Sequence, residues 1–401
     1  MRILLAADQY PEFHNGAGAA TERLAAGLAG RGHAVTVVYP SADGPSYGDL
    51  AGRGDQQGSM RYERLASVRL PHGQGVRICL PGSAALDAAA ILASAAYDVV
   101  HVQSHLPVGR AFVHAARRAT VPVVATNHFM PENLLPHIPA PDAIRRRLGR
   151  WAWRDLARVF GQSDLITTPT ARAAELLAAR TGLPLATPIS NGIDLELFRP
   201  VAGARREYDP FVLFVGRLEE EKRVVDLLRA FAEVPDQGTS RLVYIGNGSL
   251  LHHLQGLATE YGIADRVEFW GNVPNDRLRQ AYTECAVFCA PGIAELQSLV
   301  TLEAIASGAP VVAADAVALP HLVHHGRNGF RYDPDHPDQL TGHLTNLLAN
   351  PGLRQRMGAE SRLIALTHDF DLTLDAYETC YLQVMSRGQL QPRVPAEALA
   401  A

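Results

Sequence analysis

The sequence is poor in the features that mark metal-binding, secreted and membrane-spanning proteins. Its four cysteines lack the spacing of metal ligands, and Cys285 and Cys289 lie in or beside an apolar run, which favours buried thiols over a disulfide. The apolar stretch after Met1 lacks the features of a signal peptide, and no apolar run is long enough to span a bilayer. We therefore expect no metal cofactor and a cytoplasmic location, either soluble or peripheral at the inner face of the cell membrane.

An excess of positive charge is also missing. The chain has 37 Lys and Arg against 41 Asp and Glu, which gives a net charge of −4 and argues against a nucleic-acid partner. The hydrophobic fraction of 47% and the charged fraction of 19% are typical of a globular enzyme. With 401 residues the chain is too long for one core, so two domains are expected.

Short apolar runs alternate with helical patterns along the chain, which predicts an α/β, doubly wound architecture with two Rossmann-like domains. The runs read as strands are 3–7, 34–39, 99–102, 121–125, 165–168, 211–215, 241–245, 267–269, 287–290 and 311–313. Ligands of such folds bind beyond the carboxyl ends of the strands, so we expect the ligand in a cleft where the two domains face each other.

The domain boundaries follow from where this periodicity stops. Residues 1–195 are predicted to form the N-terminal domain, 196–209 a linker rich in charge and turn residues, and 210–365 the C-terminal domain. Residues 366–388 are expected to form a helix that packs back on the N-terminal domain. The Pro- and Ala-rich residues 389–401 are expected to be a loose tail.

Glu295 and Glu303 flank the start of a predicted helix, Leu299–Ser307, which Gly308 closes. Two carboxylates suit a polyhydroxylated ligand, one for sugar hydroxyls and the other for a ribose. The N–H groups at the helix start suit a phosphate. The alternative is an ordinary amphipathic helix with one solvated glutamate.

The C-terminal domain opens with a strand, a turn at Gly216, and two cations, Arg217 and Lys222. Fixed cations at the carboxyl end of a strand suit a diphosphate, although they could instead neutralise the neighbouring acids. Gly246 repeats the turn after the next strand. It could approach a nucleotide or simply form a turn.

In the N-terminal domain, Gly16 and Gly18 lie in the predicted connection between the first strand and the first helix, where N–H groups could approach an anion. His128 follows a buried strand and could hydrogen-bond a sugar hydroxyl or present its carbonyl. A structural histidine is the alternative. For His101 and His105 we favour structural roles or roles on the acceptor side.

Together these segments resemble the retaining nucleotide-sugar glycosyltransferases of family 4, which have the GT-B fold. The resemblance covers nearly the whole chain. It rests on the glycine loop at Gly16 and on residues 31–37, 98–102, 190–200, 215–222, 271–273, 295–303 and 326–330.

The resemblance implies that Arg217 and Lys222 bind the donor diphosphate, Glu303 the ribose and Glu295 the sugar hydroxyls. The N–H groups of Ser298, Leu299 and Val300 would lie against sugar and phosphate, with Gly216, Gly246 and Val273 lining the donor site. Gly16 would let the N-terminal domain approach the diphosphate, and His128 matches the family histidine near the reacting sugar. The family usually has Phe-Gly where this chain has Gln297-Ser298.

The implied reaction moves a hexose from a UDP- or GDP-sugar to an acceptor hydroxyl with retention of configuration. Residues 127–134 and 295–300 look closest to a branch that glycosylates diacylglycerol, so the main interpretation is a glycolipid precursor as acceptor. Small soluble acceptors, such as an inositol phosphate or a natural-product scaffold, are the alternative. A catalytically silent nucleotide-sugar-binding or scaffold protein is a third interpretation.

The basic residues and paired tryptophans of Ile144–Arg154 fit an anionic membrane surface. Alternatively, this helix packs Ile144, Leu148 and Trp151 inward and leaves its arginines in solvent.

Overall fold

The structure, a computed structural model, describes residues 1–9, 16–42, 54–57, 59–69, 77–131, 135, 140–201, 203, 209–235 and 240–390. The chain separates into two compact units. The first consists of Met1–Phe129, Arg147–Ile189 and Leu374–Ala401, and the second of Met130–Arg146 and Ser190–Thr373. The chain therefore passes into the second unit at Met130 and again at Ser190, before the predicted boundary at residue 195, and it returns to the first unit at Leu374.

The first unit is built on an eight-stranded sheet whose order is β10-β9-β8-β7-β1-β2-β4-β3. Its strands are parallel except for β3, which runs antiparallel to β4 at the edge, and β5 and β6 pair separately. The strands are β1 (Arg2–Ala6), β2 (Ala34–Ser41), β3 (Gly54–Gln57), β4 (Met60–Ala66), β5 (Val68–Arg69), β6 (Arg77–Ile78), β7 (Val99–Val102), β8 (Val123–Thr126), β9 (Leu165–Thr168) and β10 (Thr187–Pro188). The helices of this part of the chain are α1 (Gly16–Gly30), α2 (Pro81–Ser94), α3 (Pro107–Arg118), α4 (Asp142–Phe160) and α5 (Ala171–Thr181).

The second unit is a six-stranded, all-parallel sheet with the order β13-β12-β11-β14-β15-β16. Its strands are β11 (Phe211–Val215), β12 (Arg241–Ile245), β13 (Val267–Gly271), β14 (Val287–Ala290), β15 (Val311–Ala314) and β16 (Gly329–Tyr332). The helices that follow are α6 (Val224–Ala232), α7 (Leu251–Glu260), α8 (Asn275–Glu284), α9 (Leu299–Ala306), α10 (Leu319–Leu322), α11 (Asp338–Ala349), α12 (Pro351–Leu366) and α13 (Phe370–Leu390). From Leu374 onward, α13 belongs to the first unit.

The strand order of the second unit places its loops for ligand binding. The chain leaves β11 toward β12 and β13 on one side, then crosses back to β14 on the other, so β11 and β14 are parallel neighbours. The loops after two such strands diverge and leave a crevice at the carboxyl edge of the sheet. The turn at Gly216 follows β11 and the segment that leads to Glu295 follows β14, which brings both predicted donor segments to that crevice.

The predicted α/β fold is confirmed, and the central strands are the best-predicted elements. Strands β7, β9, β11, β12 and β14 have the predicted bounds, because strands of a parallel sheet are covered on both faces and read as largely apolar runs. Helix α1 differs: it begins at Gly16, so Gly16 and Gly18 are its first turn rather than a loop before it. The residues 10–15 of the predicted loop lie outside the described part of the chain.

Helix α4 does not pack as the inward alternative for Ile144–Arg154 predicts. Ile144, Leu148 and Trp151 are 50%, 36% and 59% exposed, so that alternative is wrong. The helix instead buries its second half, with Trp153 and Leu156 in the core of the first unit. The error has a simple cause: the segment carries two apolar stripes at helical spacing, and sequence periodicity does not tell which one faces the core.

Candidate functional site

The turn after β11 depends on two glycines whose backbones touch. Gly216 has a φ of 149°, and its N–H donates to the Ile245 carbonyl at 2.9 Å. Gly246, after β12, has a φ of 126°, and a methyl group there would lie 2.0 Å from the Gly216 carbonyl oxygen. Gly246 therefore shapes the turn at Gly216 by close backbone packing. A direct contact between Gly246 and a nucleotide stays a prediction.

Lys222 and Glu295 form an ion pair in this crevice. Lys222 ends a short 3₁₀ turn, Glu220–Lys222, and its Nζ lies 2.6 Å from Glu295 Oε1. The two side chains are 22% and 15% exposed, so the pair is partly shielded from water but still accessible. Gly292 lies beside it, since a methyl group there would be 3.3 Å from Glu295 Oε1 and 3.4 Å from Lys222 Cδ. The pair thus offers a cation and a carboxylate to one small polar ligand.

Arg217 has a carboxylate partner of its own. Its Nη2 donates to Glu221 Oε1 at 2.6 Å, with the Arg217 side chain 45% exposed and that of Glu221 4% exposed. Both predicted diphosphate-binding cations are therefore already balanced by glutamates. An anion that enters the crevice would have to share these cations with Glu221 and Glu295.

Helix α9 presents its N-terminus to the same edge of the sheet. Ser298 precedes the helix, and its Oγ accepts a hydrogen bond from the Thr301 hydroxyl at 2.8 Å. The Leu302 N–H is bonded to the Ser298 carbonyl at 3.0 Å, so the N–H groups of Leu299 and Val300 precede the first bond of the helical ladder. Such N–H groups suit a phosphate or a sugar oxygen.

Gln297 links the start of α9 to residues 190–191 by hydrogen bonds. Its Oε1 accepts from the Asn191 N–H at 2.8 Å, and its Nε2 donates to Ser190 Oγ at 2.9 Å. Ser190 Oγ also lies 2.9 Å from His368 Nδ1. The Gln297 amide thus has both its oxygen and its nitrogen engaged within the second unit.

Glu303 and Val273 occupy less open positions. Glu303 lies on α9, is 7% exposed, and accepts a hydrogen bond from the Tyr282 hydroxyl at 2.9 Å on Oε2. That bond holds one carboxylate oxygen and orients the group. Val273 follows β13 and is half-buried against the core of the second unit.

The remaining two predicted site residues belong to the first unit. Gly16 is the exposed first residue of α1. His128 follows β8 and is half-buried, and its Nε2 lies 2.9 Å from Gln103 Oε1. Burial lowers the pKa of His128 to about 4, so the imidazole is neutral at neutral pH and acts through hydrogen bonds rather than charge.

Two family models match the chain in tandem. "Glycosyltransferase Family 4" matches residues 14–197 and "Glycosyl transferases group 1" matches residues 199–363. The D-inositol 3-phosphate glycosyltransferase of Acidothermus cellulolyticus is 32% identical over 351 residues, covering 81% of this chain and 75% of that protein. The chain belongs to the family 4-type glycosyltransferases. A protein of the same name from Kribbella flavida is 31% identical over 79% of this chain and 78% of its own.

Solved glycosyltransferase structures have the same fold as this chain. Sucrose-phosphate synthase from Thermosynechococcus elongatus matches with a TM-score of 0.80 at 20% identity, covering 96% of this chain and all of the other. Anabaena HepE in complex with UDP matches with a TM-score of 0.75 at 18% identity and the same coverage. The two Rossmann-like units are therefore those of the GT-B fold.

In the part of this glycosyltransferase that the structure describes, no group of three or more His, Cys, Asp or Glu side chains is placed to hold a metal ion. All four cysteines are buried free thiols, as predicted for Cys285 and Cys289, and burial raises the pKa of the Cys289 thiol.

Sequence reasoning missed two partners of the site residues in this glycosyltransferase, Glu221 and Gln103. Glu221 is one of three successive glutamates, and only the 3₁₀ turn selects it for Arg217. The sequence carries one further signal. Lys222 is the only lysine of the chain, and the other basic side chains are arginines and histidines. Arginine suits bidentate contacts, whereas lysine supplies a compact point charge, so the single lysine indicates a position where a compact cation is needed.

Proposed function

We propose that this glycosyltransferase moves a hexose from a UDP- or GDP-sugar, with retention of configuration, to a hydroxyl of a small phosphorylated polyol such as an inositol phosphate. The observation that carries the proposal is the Lys222–Glu295 pair, 2.6 Å apart beside the N-terminus of α9. A diphosphate needs the cation, and sugar hydroxyls need the carboxylate. The names of the relatives at 31–32% identity support the polyol phosphate over diacylglycerol as acceptor.

The proposed mechanism needs no protein nucleophile. The acceptor hydroxyl attacks the anomeric carbon from the face that the diphosphate leaves, so the new C–O bond forms as the bond from that carbon to the phosphate oxygen breaks. A leaving phosphate oxygen takes the hydroxyl proton, which yields the glycoside and the nucleoside diphosphate. Arg217, Lys222 and the N–H groups of Leu299 and Val300 stabilise the charge that grows on the leaving group. Glu303 holds the ribose, and His128 contacts the sugar.

The direct test is product analysis. UDP- and GDP-hexoses that give a thermal shift are taken as donors. Purified protein is incubated with each donor and an inositol phosphate, a diacylglycerol vesicle or no acceptor, and the products are identified by mass spectrometry. The proposal requires an added hexose mass on the inositol phosphate. Addition to diacylglycerol alone would support the lipid acceptor instead. Tight donor binding without transfer to any acceptor would support the silent scaffold.

Replacing Glu221 with glutamine is expected to tighten UDP or GDP binding about fivefold to tenfold. The exposed Arg217 guanidinium then no longer shares its charge with a carboxylate at 2.6 Å, and one unit charge at short range near a surface is worth about 1 kcal/mol or more. Isothermal titration of the nucleotide measures the change. Glu220→Gln is the matched control, because Glu220 is the exposed neighbour and the charge change is the same. Weaker binding in Glu221→Gln would show that Glu221 serves to orient Arg217 rather than to compete with the ligand.

A lipid acceptor is the second candidate, and the exposed face of α4 favours it. Ile144, Leu148 and Trp151 lie one turn apart on the helix surface, and Arg147 and Arg154 are exposed on the same side. Apolar side chains beside arginines suit an anionic bilayer surface, where each cation contributes about 1 kcal/mol. In the described residues, no helix has both the length and the hydropathy needed to cross a membrane.

Vesicle flotation tests this candidate. Binding to vesicles with anionic lipid is expected, with little binding to zwitterionic ones. The double variant Leu148→Ser/Trp151→Ser should bind at least tenfold more weakly, since burial of one large apolar side chain is worth about 1.5–3 kcal/mol. Leu382→Ser is the control, because Leu382 is 58% exposed on a different helix. An equal loss of vesicle binding in both variants, or no flotation of the parent protein, would contradict membrane binding by this face of α4.

A further inference from the structure

A continuous chain of buried hydrogen bonds runs from His128 to helix α13 within the first unit. His128 Nε2 lies 2.9 Å from Gln103 Oε1, and Gln103 Nε2 lies 3.1 Å from His101 Nε2. His101 Nδ1 then lies 2.8 Å from the hydroxyl of Tyr381. Gln103, His101 and Tyr381 are 5%, 0% and 0% exposed, so water does not compete for these bonds.

A second branch meets the chain at His101. Thr126 Oγ1 lies 2.6 Å from His101 Nε2, 2.6 Å from Thr167 Oγ1 and 3.3 Å from the hydroxyl of Tyr377. Thr126 and Thr167 lie on adjacent strands, β8 and β9, and Tyr377 lies one turn before Tyr381 on α13. Two tyrosine hydroxyls of one helix thus reach the same imidazole, one directly and one through Thr126.

The orientation of the Gln103 amide, with its oxygen toward His128 and its nitrogen toward His101, assigns the protons on both imidazoles. The Gln103 amide oxygen can only accept, so His128 carries its proton on Nε2. The Gln103 amide nitrogen can only donate, so His101 accepts on Nε2 and carries its proton on Nδ1, which donates to the Tyr381 hydroxyl. The Thr126 hydroxyl also donates to His101 Nε2 and accepts from Thr167 and Tyr377. Burial lowers the pKa of His101 to about 3, so its ring stays neutral.

From this chain we infer that Gln103 and Tyr381 are positioning residues that set the tautomer of His128. The Nε2–H form leaves Nδ1 as the only acceptor nitrogen of the His128 ring, so the residue would accept from a ligand hydroxyl rather than donate to a ligand oxygen. Only the effect on a ligand hydroxyl rests on the proposed function, in which His128 contacts the sugar. The tautomer itself is a property of the ligand-free protein.

Loss of the Tyr381 hydroxyl should reverse the whole chain. His101 Nδ1–H would then have no acceptor, which costs about 1–3 kcal/mol for a buried group. With its proton on Nε2 instead, His101 can donate to Thr126 Oγ1, which lies 2.6 Å away, and it leaves only the unprotonated Nδ1 without a partner. Gln103 must then turn its oxygen toward His101 and its nitrogen toward His128. The His128 Nε2 becomes an acceptor, and its proton moves to Nδ1.

The test is nitrogen NMR on full-length protein labelled with ¹⁵N-histidine, with the His128 signals assigned by their loss in His128→Asn. In the parent protein His128 is expected in the Nε2–H form. Tyr381→Phe should change its tautomer ratio at least tenfold toward Nδ1–H, and Tyr377→Phe, a matched loss of hydroxyl from the same helix, should not. An unchanged His128 spectrum in Tyr381→Phe overturns the inference, and so does an equal change in both variants.

Kinetics then separate this inference from the proposed function. Gln103→Leu and Tyr381→Phe should each lower kcat about tenfold with a smaller change in the donor KM, and Tyr377→Phe should change kcat less than threefold. A tautomer shift without any change in kcat overturns the role of the chain in the reaction. If the parent protein transfers no sugar, the proposed function fails, while the spectra still decide whether Gln103 and Tyr381 set the tautomer.

Discussion

Replacing Lys222 with alanine is expected to lower glycosyl transfer about 100-fold to 1000-fold while the protein stays folded. The ammonium group is 2.6 Å from Glu295 and is the compact cation of the crevice between the β11 and β14 loops. Removal of one such preorganised group from a transition state that develops charge costs about 2.7–4 kcal/mol. Glu295 would also lose its cation, so donor affinity should fall together with kcat. Initial rates at several donor concentrations measure both.

Arg327→Ala is the control for this variant. Arg327 lies in the same unit, pairs with Glu360 at 2.7 Å, and is 53% exposed, so its removal takes away an ordinary surface ion pair. Its turnover should stay within about twofold of the parent protein. Near-normal turnover of a folded Lys222→Ala protein would contradict the assignment of Lys222 to the leaving diphosphate.

The second large effect is expected from Gly246→Ala. A methyl group there would lie 2.0 Å from the Gly216 carbonyl oxygen, and the φ of 126° is one that L-residues rarely adopt. The clash is with backbone, so it is relieved only by a shift of the turn that carries Gly216 and Arg217. A loss of about 2–4 kcal/mol in the free energy of unfolding is expected, together with weaker nucleotide binding. Urea denaturation and titration calorimetry measure the two losses.

Gly262→Ala is the control that separates the cost of a positive φ from the cost of the steric clash. Gly262 also has a positive φ, 67°, but a methyl group there would meet no atom within 4 Å. Its loss should be about 1–2 kcal/mol, with nucleotide binding unchanged. If both alanine variants lost the same stability and bound nucleotide equally well, the close packing of Gly246 on Gly216 would not shape the donor site.

The sequence was informative where burial dictates composition. Strands β11 and β14 are apolar throughout, and β12 is apolar after Arg241, because both faces of the sheet are covered, so their bounds and the loops that follow them were predictable. The positions of Glu295 before α9 and Glu303 on it followed from the same pattern. These elements place the predicted donor residues, and they depend on local sequence alone.

The partners of the site residues were less predictable, because they depend on geometry that local sequence does not carry. Glu219, Glu220 and Glu221 are identical in sequence, yet Glu219 binds Ser249, Glu220 is exposed and Glu221 binds Arg217. Tyr381 reaches His101 across 280 positions of the chain. Helix α4 was predicted, but the sequence left open whether Ile144, Leu148 and Trp151 face the core or the solvent.

Because Lys222 is the only lysine, one chemical measurement tests the central claim, that the Lys222–Glu295 crevice binds the diphosphate of a sugar donor. An amine-selective reagent can modify only Lys222 and the α-amino group, and mass spectrometry of the peptides reports each separately. The account predicts that the UDP- or GDP-sugar used by the enzyme slows modification of Lys222 at least tenfold, while the α-amino group reacts as before. Equal modification of Lys222 with and without saturating donor would contradict it.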